Sequence, residues 1–238
     1  MSTGPSDEAL MRGYRDGDAE ALRSLFVRHA RKLQTFFFCL LGSLEQTEEL
    51  SQKTWLRLHR IRKSYSNDQP FVPWLYTLAV QLRRDLVRDA AVHASPPAAA
   101  CVVSDAPSLV RALLGLPDSY REVVVLHRLV ELPFPTIAHV LKATESAVEQ
   151  RAQQGYEQLA TLTGSSQAID LVRAGQAVFD PAFFQAEADP VLLERSARAL
   201  LPVVAHDLQP VHASAVWLAV GFLLLLLVAV VVRLQLFR

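Results

Sequence analysis

Residues 46–89 read QTEELSQKTWLRLHRIRKSYSNDQPFVPWLYTLAVQLRRDLVRD. Two helical patterns flank a short polar loop. In the first, over 46–62, Leu50, Thr54, Leu58 and Ile61 recur at spacings of four and three and make one buried stripe. Glu48, Glu49, Gln52, Lys53 and Arg57 fall off that stripe and face outward. In the second, over 71–90, Phe71, Leu75, Leu78, Leu82 and Leu86 repeat in the same way, and Arg83, Arg84 and Arg88 form a basic edge. The loop between them carries Lys63, Tyr65, Asn67 and Asp68. Aromatic rings beside positive charge suit single-stranded nucleic acid, because rings stack on bases while cations hold phosphates.

The helical pattern extends in both directions. Upstream, the spacing predicts a short helix over 7–14, closed near Gly17, and a long one over 19–41 ended by Gly42 and Ser43. Pro70 and Pro73 belong at the start of the 71–90 helix, where a missing N–H costs little. Four helices in this order predict a compact all-α domain over 7–90. Residues 91–107, rich in Ala, Pro, Ser and Val, read as a linker. A second helical domain is expected over 108–162, with helices at 108–114, 118–129, 136–141 and 144–162. The last two form a helix-turn-helix candidate, with Ser146 and Glu149 as a capping box for the second helix. In such a motif the second helix enters the major groove by its N-terminal residues.

With these patterns in hand, the chain resembles bacterial sigma factors of the extracytoplasmic-function (ECF) group. Residues 7–42 (DEALMRGYRDGDAEALRSLFVRHARKLQTFFFCLLG) and the 46–89 stretch are similar to region two of that group, and residues 113–159 to region four, in the right order. The resemblance implies that the first helix of the opening stretch binds the clamp helices of the largest subunit of core RNA polymerase, through Glu48, Glu49, Leu50, Gln52, Thr54 and Arg57. It implies that the loop and following helix open promoter DNA and capture an extruded base, through Arg62, Lys63, Tyr65, Asn67, Trp74, Arg83, Arg84 and Arg88. Trp74 also reads as core. The helix-turn-helix would touch DNA through Thr144, Ser146, Gln150, Arg151 and Gln153. Several positions depart from the family pattern. Lys53 stands where an acidic residue is usual, Val80 and Gln81 where Arg-Asn is common, and Lys142 where a turn glycine is frequent. Glu149 replaces a common lysine, and Gln154 and Tyr156 replace arginines.

Composition agrees with a division of labour. The 238 residues carry no net charge, so no global field draws the chain to nucleic acid. Residues 7–90 hold fourteen Lys or Arg against eleven Asp or Glu, a balance of +3, whereas 106–162 hold five against six, a balance of −1. The first block is therefore the stronger DNA face. Cys39 and Cys101 lack partners at ligand spacing, which argues against a disulfide framework or zinc site. No phosphate loop, dinucleotide glycine pattern or His-Glu metal spacing is present, so no enzyme activity and no cofactor are expected. The polar N-terminus lacks the apolar core of a signal peptide.

The rest of the chain matches no family pattern. Residues 163–212 predict an extension with a helix around 168–178 and another from Asp189, followed by Pro190 at its first position. Residues 215–232 are an unbroken apolar run of eighteen, including five consecutive leucines. At 1.5 Å per residue this spans roughly 27 Å, close to a bilayer core. Trp217 and Arg233 suit interface anchors. Arg233 and Arg238 favour a cytoplasmic C-terminus, but two residues are a weak bias, and a sigma-like part must meet polymerase. The expectation is a single-pass, tail-anchored protein of the bacterial inner membrane with its N-terminal domains in the cytoplasm. It would be a membrane-tethered sigma factor, held inactive by the tether and extension until an envelope signal releases it, with an anti-sigma factor or a releasing protease as a further partner. The alternative is a sigma-derived membrane adaptor that binds a protein partner without directing transcription.

Overall fold

The computed structural model describes residues 4–66, 68–92 and 108–163. Asn67, Cys101, most of the 91–107 linker, the helices expected in the 163–212 extension and the 215–232 span lie outside the described residues. All the described helices belong to one compact unit. They are α1 (Asp7–Arg15), α2 (Ala19–Leu41), α3 (Leu44–Ile61), a 3-10 turn (Arg62–Ser64), α4 (Phe71–Val92), α5 (Ser108–Leu114), α6 (Asp118–Arg128), α7 (Phe134–Leu141) and α8 (Glu145–Thr163). The described architecture is all-α.

Local chemistry sets the helix ends. Ser6 Oγ accepts from the Ala9 amide at 3.2 Å, and Asp18 Oδ1 accepts from Glu20 and Ala21 at 2.9 and 3.3 Å. Each satisfies amides that the first turn leaves without intrahelical partners. Helix α3 begins two residues before the expected position because Ser43 caps it, accepting from the Gln46 amide at 3.4 Å. Helix α7 also begins two residues early and takes Pro135 into its first turn. The cap of α8 differs from the Ser146–Glu149 box. Thr144 Oγ1 accepts from the Ala147 amide at 3.3 Å, so the helix starts at Glu145 and Ser146 lies within its first turn.

In the N-terminal group α2 packs on α1 and α3, and α3 packs on α4. Phe36 and Phe37 of α2 are fully buried, and Phe36 meets Tyr76 of α4 edge-on with ring centroids 5.0 Å apart. Of the expected stripe, Leu50, Thr54 and Leu58 are buried and Ile61 at the helix end is half-buried, and α3 also buries Trp55 and His59. His59 Nδ1 is hydrogen-bonded to the Tyr14 hydroxyl and so ties α3 to α1. The start of α4 is held from α1, where Glu8 Oε1 accepts from the Phe71 amide at 3.2 Å.

In the C-terminal group α8 lies across α6 and α7. Gly155 lets α8 approach α6 this closely, because a Cβ there would sit 2.7 Å from Val124 Cγ2. Val124 is buried and, being β-branched, has little rotamer freedom to yield. Alanine is the better helix former, yet Gly155→Ala is expected to destabilise the protein by about 1–3 kcal/mol, the usual cost of overpacking. A thermal or urea melt checks the sign, and a rise in stability would show that the two helices separate easily.

The two groups touch. Helix α4 packs on α7, and α2 packs on α5 and α6. Phe38, Val110 and Leu114 form a small apolar cluster at this contact. Gly42, the left-handed cap of α2 at φ 68°, has Leu114 Cδ1 2.7 Å from where its Cβ would stand.

Candidate functional site

The outer face of α3 presents a row of polar groups one turn apart. Gln52 Nε2 donates to Glu48 Oε1 at 3.3 Å, and Lys53 Nζ lies 2.6 Å from Glu49 Oε1. Glu49, Lys53 and Arg57 are exposed, and Glu48 and Gln52 half-buried. Lys53 therefore neutralises its own neighbour on the surface. Leu50 and Thr54, grouped with this face by resemblance, are buried, and the Thr54 hydroxyl donates to the Leu50 carbonyl at 2.7 Å. They support the face from beneath and do not form part of its surface.

The loop residues divide in the same way. Lys63 is exposed. Arg62 donates to the His59 carbonyl at 2.7 Å and lies over the Tyr14 ring, so it is half tied down. Tyr65, expected as an exposed ring, is only 2% exposed. Its hydroxyl donates to the Gln69 carbonyl, and its ring meets Trp74 edge-on at 5.0 Å. Burial, and then the nearby Glu8 carboxylate, push the Tyr65 phenol above its ordinary range. Trp74 is buried as well, against Tyr65 and Phe71. These rings form a wall that closes the end of α4, and sequence periodicity alone did not separate that role from base stacking.

The basic edge of α4 is the largest departure from expectation. Arg88 is exposed and paired with Asp85 at 2.7 Å, one turn away. Arg83 is buried between the two helical groups, with Nη2 2.8 Å from Asp118 Oδ2 and Nη1 3.5 Å from Glu122 Oε1. Arg84 Nη2 lies 2.9 Å from Glu122 Oε2, and its Nη1 donates to the Leu141 carbonyl at 3.3 Å. Arg121, next to these carboxylates, donates to the carbonyls of Leu40, Leu116 and Leu114 at 2.6, 2.8 and 3.1 Å. Burial pulls Arg121 below its ordinary range, the adjacent Asp118 opposes that shift and Arg83 adds to it. Asp118, Arg121 and Glu122 were missed from the sequence. The only signal was that these three charged positions lie beside the apolar run Val123–Leu126 of α6, and periodicity does not name their partners.

On the helix-turn-helix, Thr144, Ser146, Gln150 and Gln153 are exposed, and Arg151 is half-buried. Gln153 Nε2 donates to Glu157 Oε1 at 3.1 Å. Glu145 and Glu149 share the exposed N-terminal turns of α8. Tyr156 turns inward, and its hydroxyl accepts from Arg128 Nε at 3.1 Å and is hydrogen-bonded to His127 Nδ1 at 2.6 Å. Burial and the Arg128 charge hold His127 below the usual histidine range. Lys142 sits in the turn at φ 54°, ψ 47°. That left-handed conformation disfavours a side chain, so Lys142→Gly is expected to stabilise the fold by about 1 kcal/mol, measurable as a rise in melting temperature. Among the described residues no cluster of His, Cys, Asp or Glu could hold a metal ion, and Cys39 is buried with its thiol pushed up by burial.

An all-helical protein carrying a basic N-terminal group and a helix-turn-helix defines the class of two-part transcription factors. A family model for sigma-70 region 2 matches residues 20–92, and one for sigma-70 region 4 matches residues 107–159. The chain is 36% identical over 167 residues to the RNA polymerase sigma factor CarQ of Myxococcus xanthus, a match covering 65% of this chain and 95% of that protein. It is 25% identical over 166 residues to the ECF RNA polymerase sigma factor SigW of Bacillus subtilis (strain 168), covering 60% of this chain and 89% of that one. The solved structure of CnrH in complex with the cytosolic domain of CnrY shares the fold, with a TM-score of 0.54 and 24% identity over 66% of this chain and 97% of that chain. This chain belongs to the ECF family of RNA polymerase sigma factors. Its general function is RNA polymerase binding in transcription initiation, and it is not an enzyme.

Proposed function

We propose that this protein is a membrane-tethered ECF sigma factor whose α3 outer face binds the clamp helices of the largest polymerase subunit. The observation that carries this reading is the row Glu48, Glu49, Gln52 and Arg57, presented outward on a helix whose opposite stripe is buried. Carboxylates beside an amide, held at one-turn spacing, suit a basic helical partner. Arg62, Lys63, Arg84, Arg88 and the loop with Asn67 would engage the melted promoter strand, with Tyr65 and Trp74 closing the wall behind it. The exposed residues of α8 would meet the more distant promoter element in the major groove. Residues 7–90 and 108–162 act as the two working domains in this reading, and 91–107 joins them.

The 215–232 run would anchor the chain in the inner membrane with the helical groups in the cytoplasm. An envelope signal, through a protease or the loss of an inhibitory protein, would then release activity. The relative CnrH is solved with the cytosolic domain of CnrY, which makes a cytosolic protein domain a suitable class of regulator here as well. Among the described residues no helix is long and apolar enough to cross a membrane, so this part of the reading rests on the sequence of 215–232.

The test mixes the full chain, in nonionic detergent, with core polymerase and genomic DNA from the same cell, and sequences the transcripts. Discrete new start sites sharing two upstream elements are expected. Polymerase binding without new starts would favour the adaptor reading, which the exposed Glu145 and Glu149 on α8 support because they repel phosphate. Retention in the membrane pellet after carbonate washing tests the anchor. In the same system Glu149→Lys is expected to raise affinity for duplex promoter DNA and to steepen the salt dependence by about one unit in log–log slope. No change in slope would place position 149 away from phosphate.

A further inference from the structure

Two of the three arginines that α4 offers to DNA, Arg83 and Arg84, are already occupied, and their partners belong to the helix-turn-helix group of the same chain. Arg83 is 4% exposed and sits against Asp118 and Glu122, and Arg84 shares Glu122. We infer that this ion cluster is an intramolecular latch, in which the Asp118 and Glu122 carboxylates hold the places on Arg83 and Arg84 that promoter phosphates would take. The inference rests on the reading of α4 as a DNA-contacting helix, and adds that the arrangement seen here withholds it.

Three observations support a latch over a permanent joint. The first is incomplete satisfaction. Arg83 Nε and Arg121 Nε are buried without a hydrogen-bond partner, and Glu122 Oε1 is met only by Arg83 Nη1 at 3.5 Å. A buried ion cluster with unmet donors and acceptors is a weak net stabiliser, since desolvation offsets most of the Coulomb attraction. The second is charge accounting. Three cations, Arg83, Arg84 and Arg121, face two carboxylates, so the cluster holds a surplus positive charge that an incoming phosphate would offset. The third is the partial access of the cluster. The Arg84 side chain is 45% exposed and that of Asp118 54%, so an incoming anion can reach the edge of the cluster before the groups separate. Beside it lies an apolar cluster that includes Phe38, Val110 and the partly buried Leu114.

The experiment uses the full chain in nonionic detergent with Cys101→Ser, donor and acceptor dyes on Arg60→Cys and Gln158→Cys, and Cys39 left buried. Asp118→Asn with Glu122→Gln keeps side-chain shape and removes both carboxylate charges. Exposed Glu20→Gln with Glu45→Gln removes the same charge within the N-terminal group, away from the contact. Circular dichroism establishes that each variant is folded before it is used. The probe is a single-stranded oligonucleotide of mixed sequence at low salt. The latch variant is expected to lose energy transfer between the groups and to bind the oligonucleotide about tenfold more tightly, while the charge-matched control stays within about twofold of the parent. Adding Arg83→Ala and Arg84→Ala to the latch variant is expected to abolish the gain. Unchanged energy transfer overturns the latch. Lost transfer with unchanged affinity overturns the competition for Arg83 and Arg84. A gain that survives the two alanines overturns it too, and shows that DNA binding lies elsewhere. None of these results depends on new transcription starts, so failure of the promoter reading registers separately.

Discussion

A chain carrying Glu49→Arg with Gln52→Ala is expected to lose on the order of 100-fold in affinity for core polymerase, because reversing a charge against a charged partner costs several kcal/mol and 2.7 kcal/mol is two decades. The fold should not register the change. Glu49 is exposed, and its pairing with Lys53, like that of Gln52 with Glu48, is a surface interaction between side chains one turn apart, worth about 0.3–0.5 kcal/mol. The complementary variant Lys53→Glu removes the cation that now neutralises Glu49 and should tighten binding. Both are read by fluorescence anisotropy or surface resonance against purified core enzyme, with circular dichroism as the folding control. If the double variant binds as the parent does, the outer face of α3 is not the polymerase surface. Opposite signs from the two variants would identify electrostatic contact and exclude a general loss of structure.

Arg121→Ala is expected to destabilise the protein by about 1.5–3 kcal/mol, because it removes a half-buried cation that three carbonyls and a carboxylate share. The guanidinium reaches the Leu40 carbonyl at the end of α2 and those of Leu114 and Leu116 at the end of α5, while Asp118 lies 3.2 Å away. Helix ends leave their last carbonyls without intrahelical partners, so the substitution exposes acceptors on two elements at once. Arg121→Lys should recover little, since a single ammonium cannot span acceptors on both elements with the geometry of a planar fork. Calorimetry of the full chain checks this. A single broadened transition at lower temperature, or separation into two, would show that Arg121 couples the groups. An unchanged transition would mean that the Arg83 and Arg84 ion pairs and the packing of α4 on α7 and of α2 on α5 and α6 hold them without Arg121.

Much of the helical fold was legible because periodicity reports burial. The stripe of α3, the long apolar face of α2 and the boundaries of α2 and α5 follow from spacing and from Gly42 and Asp18 at the ends of α2. The helix starts that moved, those of α3 and α7, did so by a turn or less, where a cap or a proline chose between adjacent registers. For α8 the choice fell on Thr144 over Ser146, two hydroxyls that local sequence ranks equally.

The candidate site was less legible, for a physical reason. Sequence reading places a residue on a face but does not say what covers that face. Tyr65 and Trp74 look alike as stacking rings and as core, and the structure buries both against each other. Arg83, Arg84 and Arg88 form one basic edge in the sequence. The structure separates them, with Arg83 sealed between helices, Arg84 half open and Arg88 paired on the surface.

By itself the sequence determined the helix-by-helix pattern, the order of the two family blocks and the outward row on α3, because each depends on residues within a few turns of one another. Only the tertiary structure decided which arginines of α4 are sealed and which are open, why a glycine is needed at 155 and how α4 is held against α6. Those depend on carboxylates and side-chain volumes brought from 31 to 39 residues away in the chain (Gly155 to Val124 and Arg83 to Glu122), and no local pattern encodes which distant residue will be the neighbour.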